Sequence, residues 1–361
     1  MKKVITTIVV LVLAALMAWG FIENARHHKD EANHEVNAKE IIFEHLGDAY
    51  GWEVPFNHGR RIPLPIIVRD KDGGWHAFLS SRITGGETYE GFKIAAEGAH
   101  KGKVVQDDGT ADGYRPWDFS ITKNVAGIMI AALLVVLMMF SVRKWYRRYG
   151  MKAPRKGTAF LELIVDFVYT DTIRPIMGRD AKKYAPYLLT AFFFILTMNL
   201  LGLIVIFPGG ANLTGNLAVT MVLALITFAI TNLTGTKHYW KDIFWPDVPV
   251  ALKCPVPMMP IIEFLGIFTK PLALMVRLFA NMLGGHMVVI VLILLTFIFT
   301  EKFSLGVGIG TSVVSVALAL FMLVLDTLIS FIQAYVFTLL STIFINMAHL
   351  HEEKHEEIAE A

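Results

Sequence analysis

Arg277, Asn281 and Gly284 stand at i, i+4 and i+7 within "PLALMVRLFANMLGGH" (271–286). On a helix they form one stripe of a cation, an amide and a bare backbone patch. Between Pro271 and Thr300 the only other ionisable side chain is His286. Arginine keeps its proton, with a pKa above ~12, so this run holds a permanent cation. A second stripe follows: Asp326, Ser330, Gln333 and Phe337 fall at i, i+4, i+7 and i+11, and Asp326 is the only charged side chain between Lys302 and His349. His286 comes nine positions after Arg277, about two and a half turns, so it points away from the arginine at another depth. Glu263 comes fourteen positions before it. Titratable groups at several depths around a fixed cation suit proton relay. Each residue also has a plainer use: Asn281 and Gln333 as interhelical hydrogen bonds, Gly284-Gly285 as close packing, His286 as a core histidine, Asp326 as an ion-pair partner of Arg277.

The elements that position these residues belong to a membrane protein. Of 361 residues 55% are hydrophobic and 18% charged, with 25 Phe, and several apolar runs exceed the ~18 residues of a membrane-span candidate. The net charge of +2 matters less than where the charges lie. Cys254 is the single cysteine, which excludes a disulfide framework and a cysteine metal site. No internal repeat is visible, which speaks against an inverted-repeat transporter.

Residues 1–20, with Lys2 and Lys3 ahead of an apolar stretch and small residues near Ala18, read as a signal peptide or, failing cleavage, an N-terminal anchor. Residues 21–122 are polar, with short alternating stretches such as "RIPLPIIVRD" and "GWHAFLSSRIT" between turn signals, and predict a small, partly β exterior domain. Six of its seven histidines, those from His27 to His76, follow no metal-ligand spacing and read as solvated surface groups.

A plain span is expected at about 124–142. The basic stretch 143–156, with seven Lys and Arg and no acid, puts the following loop in the cytoplasm. Residues 157–180 carry Glu162, Asp166 and Asp171 among apolar positions and read as an amphipathic helix at the inner surface. Spans at about 186–207 and 214–234 come next. As one helix the 46 residues between Lys302 and His349 would measure ~69 Å, and 271–300 would reach ~45 Å, against a hydrocarbon core of ~30 Å. The fold expected is an α-helical polytopic membrane protein with about five embedded helices, the last two forming a long, steeply tilted hairpin. A charged cytoplasmic tail, 353–361, ends the chain.

"IIEFLGIFTKPLALMVRLFANMLGGH" resembles the signature stretch of subunit a of F-type ATP synthases. The family's R-L-F-x-N-M core after a [S/T]-K-P turn is matched by Arg277 to Met282 after Thr269-Lys270-Pro271. "LDTLISFIQAYVFTLLSTIFINMAHLHEE" resembles the family's last helix, with its Q-A-[FY]-[VI]-F segment at Gln333 to Phe337. "AFLELIVDFVYTDTIRPIMG" and "NLLGLI" are similar to its inner-surface helix and second span. The likeness covers about residues 120–352; the exterior domain resembles the enlarged N-terminal domain of some bacterial members.

The resemblance implies a subunit that is not an enzyme on its own and needs no cofactor. It implies a proton-translocating stator in the inner membrane, beside a c-ring and a peripheral-stalk subunit b, coupled indirectly to the catalytic head. Arg277 would face the ring carboxylate. His286 and Asp326 would form the outer half-channel pair, in the reverse of the order common in bacterial relatives. Asn216 would line that half-channel, Glu263 the inner one, and Asn281, Ser330 and Gln333 would continue the pathway. No G-x-x-x-x-G-K-[ST] occurs, so no nucleotide site of that kind is expected, nor is nucleic-acid binding. Two rival readings are a self-contained proton channel or antiporter, which a fixed Arg277 would obstruct, and a membrane anchor for the exterior domain, which would leave the intramembrane polar residues without a purpose.

Overall fold

The computed structural model describes residues 47–349 except 54–60, 85, 96–97, 110–112, 151, 155–156, 205–209, 245–257 and 303–304. The expected signal or anchor at 1–20, the exterior histidines at 27, 28, 34, 45 and 58, and the tail at 353–361 lie outside the described residues.

The first described part is β-rich. β1 (Gly51–Glu53) pairs with β2 (Arg61–Pro63), and β3 (Pro65–Arg69) lies between β4 (Trp75–Leu79) and β7 (Trp117–Asp118), while β5 (Phe92–Ile94) pairs with β6 (Val104–Gln106); all pairings are antiparallel. Alternation in β3 sends Ile66 and Val68 into a core with Tyr50, Ile83, Phe92 and Val104. The β3–β4 turn is closed by Asp70, whose Oδ1 accepts from the Gly74 amide at 2.7 Å, with Gly73 at φ +89° where a side chain would be strained.

His76 departs from the solvated histidine expected of it. Its Nδ1 lies 2.8 Å from Glu90 Oε2, its Nε2 3.2 Å from Asp70 Oδ2, and its ring packs 5.0 Å from Phe92. The bond to Glu90 raises the His76 pKa, with Asp70 adding to it against partial burial, and the Gly74 amide, then His76, lower that of Asp70. The histidine's contribution to stability is therefore full below its unfolded value of ~6.5 and is lost as pH rises through the higher folded value. Asp70's is present above its unfolded value of ~3.9 and lost as pH falls. Thermal melts of the β-rich part, followed by tryptophan fluorescence, are expected to soften as pH rises above ~6.5 and through the histidine's raised folded value. His76→Gln should melt at a lower temperature than the native protein below about pH 6.5, the difference closing as pH rises through the histidine's folded value, with a flatter pH response; an unchanged slope would rule out the clamp.

This part is tied to the helices. The Lys123 amide donates to Ala49 O at 2.9 Å, the Asn124 amide to Asp48 Oδ1 at 3.1 Å, and Trp52 packs into the helical core. Helix α1 (Lys123–Tyr149) starts at Thr122, whose hydroxyl accepts from Val125 N, and ends at Gly150 (φ +62°) with Arg147 and Arg148 in its last turn. Both ends follow ordinary capping and dipole preferences.

Helix α2 (Gly157–Val168) passes through a π-helical turn (Tyr169–Ile173) into α3 (Arg174–Met177) and, after a 3₁₀ turn, α4 (Ala181–Leu203). The acids that make 157–180 look too polar to span are partly matched locally: Tyr146 donates to Glu162, and Thr170 to Asp166 at 2.7 Å. Helix α2 exposes Phe160, Leu163 and Phe167 and buries Ile164 and Val168, so its outer side is more apolar than a water-facing surface helix requires. Helix α4 is apolar on all sides, the mark of a central helix, and packs against α1 and the last helix with Leu188, Phe192, Ile195 and Met198 fully buried.

Helix α5 (Leu217–Leu233) begins at Asn216, and short α6 (Lys237–Phe244) follows it. The last two helices, α7 (Met258–Lys302) and α8 (Leu305–Met347), are unbroken over 45 and 43 residues, each ~65 Å long. Neither Pro271, Gly284-Gly285 nor the glycines at 306–310 interrupt them. Four helical segments are long and apolar enough to cross a membrane, Lys123–Tyr149, Gly157–Leu203, Pro260–Thr300 and Gly306–Met347, and Leu217–Leu233 is a shorter apolar helix. The molecule is thus an α-helical polytopic membrane protein with a long terminal hairpin and a small β-containing N-terminal part.

Candidate functional site

Helix α8 turns its polar stripe inward: Asp326, Ser330, Gln333 and Phe337 are all buried, against α7 and α4. Helix α7 turns its stripe outward, with Arg277, Asn281 and Gly284 exposed. Between the helices lies a cavity of about 10 Å³, room for roughly one water. Asn281, Gly285 and His286 of α7, Asp326, Ser330 and Gln333 of α8, and Asn199 of α4 are among its lining residues.

Asn281 Nδ2 donates to Gln333 Oε1 at 2.6 Å and clips the two long helices together. Gly285 leaves the space that Asp326 occupies, since a Cβ there would come within 2.7 Å of Oδ1. His286 reaches the end of α4, its Nε2 3.2 Å from Gly202 O, while Nδ1 lies 3.2 Å from Met282 O on its own helix. Asn199 accepts from Thr214 Oγ1 at 2.7 Å and donates to Ser330 O at 3.5 Å.

Arg277 stays apart from this network. Among the described residues it has no hydrogen bond or ion pair, so Asp326 is not its partner and Gln333 is engaged by Asn281 instead. Arg277 stands as a cation on the outer surface of an apolar helix, next to a polar cavity.

Glu263 lies elsewhere, toward the start of α7. Nearby, a second cavity of about 20 Å³ is lined by Asn232, Tyr239, Lys270 and Pro271 among others, and Tyr239 donates to Asn232 Oδ1 at 3.2 Å. Burial, and then the charge of Glu263, raises the Tyr239 hydroxyl above the usual tyrosine value. Asn216 is not among the residues lining the first cavity. It caps α5, its Oδ1 accepting from Ala218 N at 3.0 Å. The residues of that loop and of α4 that sequence reasoning passed over are Asn199, Gly202 and Thr214. Asn199 and Gly202 sit in "NLLGLI", a run that signalled a span without signalling a contact.

Comparison with known proteins agrees with this architecture. The family model described as "ATP synthase A chain" matches residues 126–346, the whole helical part. The chain belongs to this family. A second family model, a domain of unknown function (DUF8433), matches residues 41–119. ATP synthase subunit a of Chloroherpeton thalassium is 41% identical over 246 residues, covering 67% of this chain and 70% of that protein. The subunit a of Chlorobium phaeobacteroides strain DSM 266 is 32% identical over 318 residues, covering 77% and 89%. That of an Anaeromyxobacter species, strain Fw109-5, is 33% identical over 336 residues, covering 90% and 75%, so its similarity extends into the β-containing part.

Proposed function

We propose that the chain is the proton-translocating stator subunit of an F-type ATP synthase, supplying two offset half-channels to a rotating c-ring. What carries the reading is Arg277: exposed, without a partner among the described residues, and one helical turn from a cavity that holds His286 and Asp326.

A proton enters from the outer side, passes His286 and Asp326, and reaches a ring carboxylate. After nearly a full turn the protonated acid approaches Arg277. An opposite charge a few Å away in a dry site favours the ionised acid, so the proton leaves toward Glu263 and the inner side. The same cation blocks direct passage between the half-channels. The membrane potential adds ~2.3 kcal/mol per charge per 100 mV, and several protons per turn drive rotation and ATP synthesis in the catalytic head. The chain itself holds no catalytic site in this scheme. It sits in the inner membrane against the c-ring and the stalk subunit b, with 21–122 in the periplasm, 123–352 as the membrane domain, and the C-terminus in the cytoplasm.

The water path is testable at buried positions. In a background without Cys254, single cysteines at 326, 330 and 333 are expected to react with silver ion in membranes, while Leu133→Cys, on an exposed apolar face of α1, stays inert. Inertness at all three polar positions would sink the half-channel. Co-purification of the chain with a c-ring and a catalytic head separates this reading from a self-contained channel or antiporter, which needs neither.

A further inference from the structure

Gly202 is the penultimate residue of α4, where helix carbonyls lack an intrahelical partner. Its carbonyl instead lies 3.2 Å from His286 Nε2. The approach depends on the missing side chain: a Cβ on Gly202 would stand 2.3 Å from Met282 Cε and 3.7 Å from His286 Cε1. The other ring nitrogen, Nδ1, faces Met282 O at 3.2 Å, a carbonyl that α-helical geometry already commits to the backbone N–H of residue 286. Carbonyls only accept, so the Gly202 carbonyl, in the last turn at the partly negative end of α4, has the stronger claim on the ring hydrogen. One turn earlier, Asn199 is held by Thr214 and reaches Ser330 O, which fixes this end of α4 against α8.

We propose that the Gly202 carbonyl is the positioning acceptor of His286, keeping a hydrogen on Nε2 and leaving Nδ1 as the nitrogen that loads and unloads the transported proton. This rests on the relay reading above. In the loading step the Nδ1 lone pair takes the incoming proton from hydronium, which leaves as water, and the ring becomes imidazolium with Met282 O as the acceptor for the new N–H. In the unloading step that proton passes to the Asp326 carboxylate, giving the carboxylic acid and returning the neutral ring with its Nε2–H intact. Among the described residues lining the cavity, Asp326 is the only other titratable one. A fixed tautomer matters because the hydrogen bond at one ring nitrogen decides the role of the other.

The test uses the assembled complex in vesicles, with ¹⁵N-labelled histidine and the His286 ring signals assigned by their loss in His286→Gln. The native ring in its neutral form is expected to be a single Nε2–H tautomer. Gly202→Val should mix the tautomers, alter the pH profile of proton pumping and lower its rate about 10- to 100-fold, the scale of a small misplacement. Gly202→Ala should be milder, and Met282→Ala added to it should restore both tautomer and rate by removing the crowded methyl. A native ring carrying its hydrogen on Nδ1, or already mixed, overturns the proposal, and this readout stands even where Gly202→Val fails to assemble. So does Gly202→Val with native tautomer and native pumping. If His286→Gln pumps normally, the relay reading falls; if it stops pumping while the native ring is Nδ1–H, only the role of Gly202 falls.

Discussion

Arg277→Ala is expected to abolish proton-driven ATP synthesis while leaving the complex assembled. A cation beside a carboxylate lowers that acid's pKa by about 1 to 3 units, which is ~1.4 to ~4 kcal/mol in favour of proton release. Losing it slows release about 10- to 1000-fold at the one step every proton must pass. It also opens a path between the half-channels, so the potential is wasted as leak. Folding is spared because Arg277 is exposed and makes no internal hydrogen bond or ion pair among the described residues. The checks are synthesis driven by an imposed gradient and passive proton conductance of the same vesicles. Normal coupled synthesis in the mutant would end the stator assignment. A mutant that conducts protons freely without any ring would support the self-contained channel instead.

Exchanging the outer pair is the second large effect. His286→Glu alone sets two carboxylates around one cavity and aims one of them at the Gly202 and Met282 carbonyl oxygens, acceptor against acceptor. Asp326→His alone sets two imidazoles there and crowds Gly285, beside which the carboxylate already fits closely. Each single change is expected to cut pumping by about 10²-fold or more, the usual worth of a placed acid or base. The double change should pump at least about tenfold faster than either single, because an acid and a base again share the cavity. It should stay below the native rate, because the end of α4 suits a ring N–H better than a carboxylate. Additive losses without recovery would show that the two residues do not act as a unit.

Helix length and the inward stripe of α8 were plain in the sequence, since long apolar runs and i, i+4, i+7 spacing are local patterns. The same spacing told which side of α7 carries Arg277 and Asn281. Contacts made through backbone were not legible. Nothing in "NLLGLI" announces that the Gly202 carbonyl meets a histidine 84 residues later, because a glycine lends an atom every residue has and matters only by what it lacks. Asn216 holds a second use that its position before a helix does announce: its side-chain oxygen satisfies the ordinary capping preference at the start of α5. Gln333 was legible as an amide that bonds between helices, but its partner was not fixed, since spacing along one helix does not choose between two residues one turn apart on another. His76 escaped because its partners, Asp70 and Glu90, come together only once two turns have folded.

Helix α7 continues without a break from Glu263 past Arg277 to His286. At ~1.5 Å per residue those two outer members of the set stand ~35 Å apart on one rigid rod, farther than the hydrocarbon core is thick. The rod therefore acts as a gauge. Deleting one residue would shorten it by only ~1.5 Å but would twist everything beyond by about 100°, carrying His286 off the cavity while Arg277 stayed in place. The tolerance of such a machine lies in angle rather than length, and an unjointed helix, clipped to its neighbour at Asn281 and Gln333, is a part that gives little in torsion when a rotor pushes sideways on Arg277.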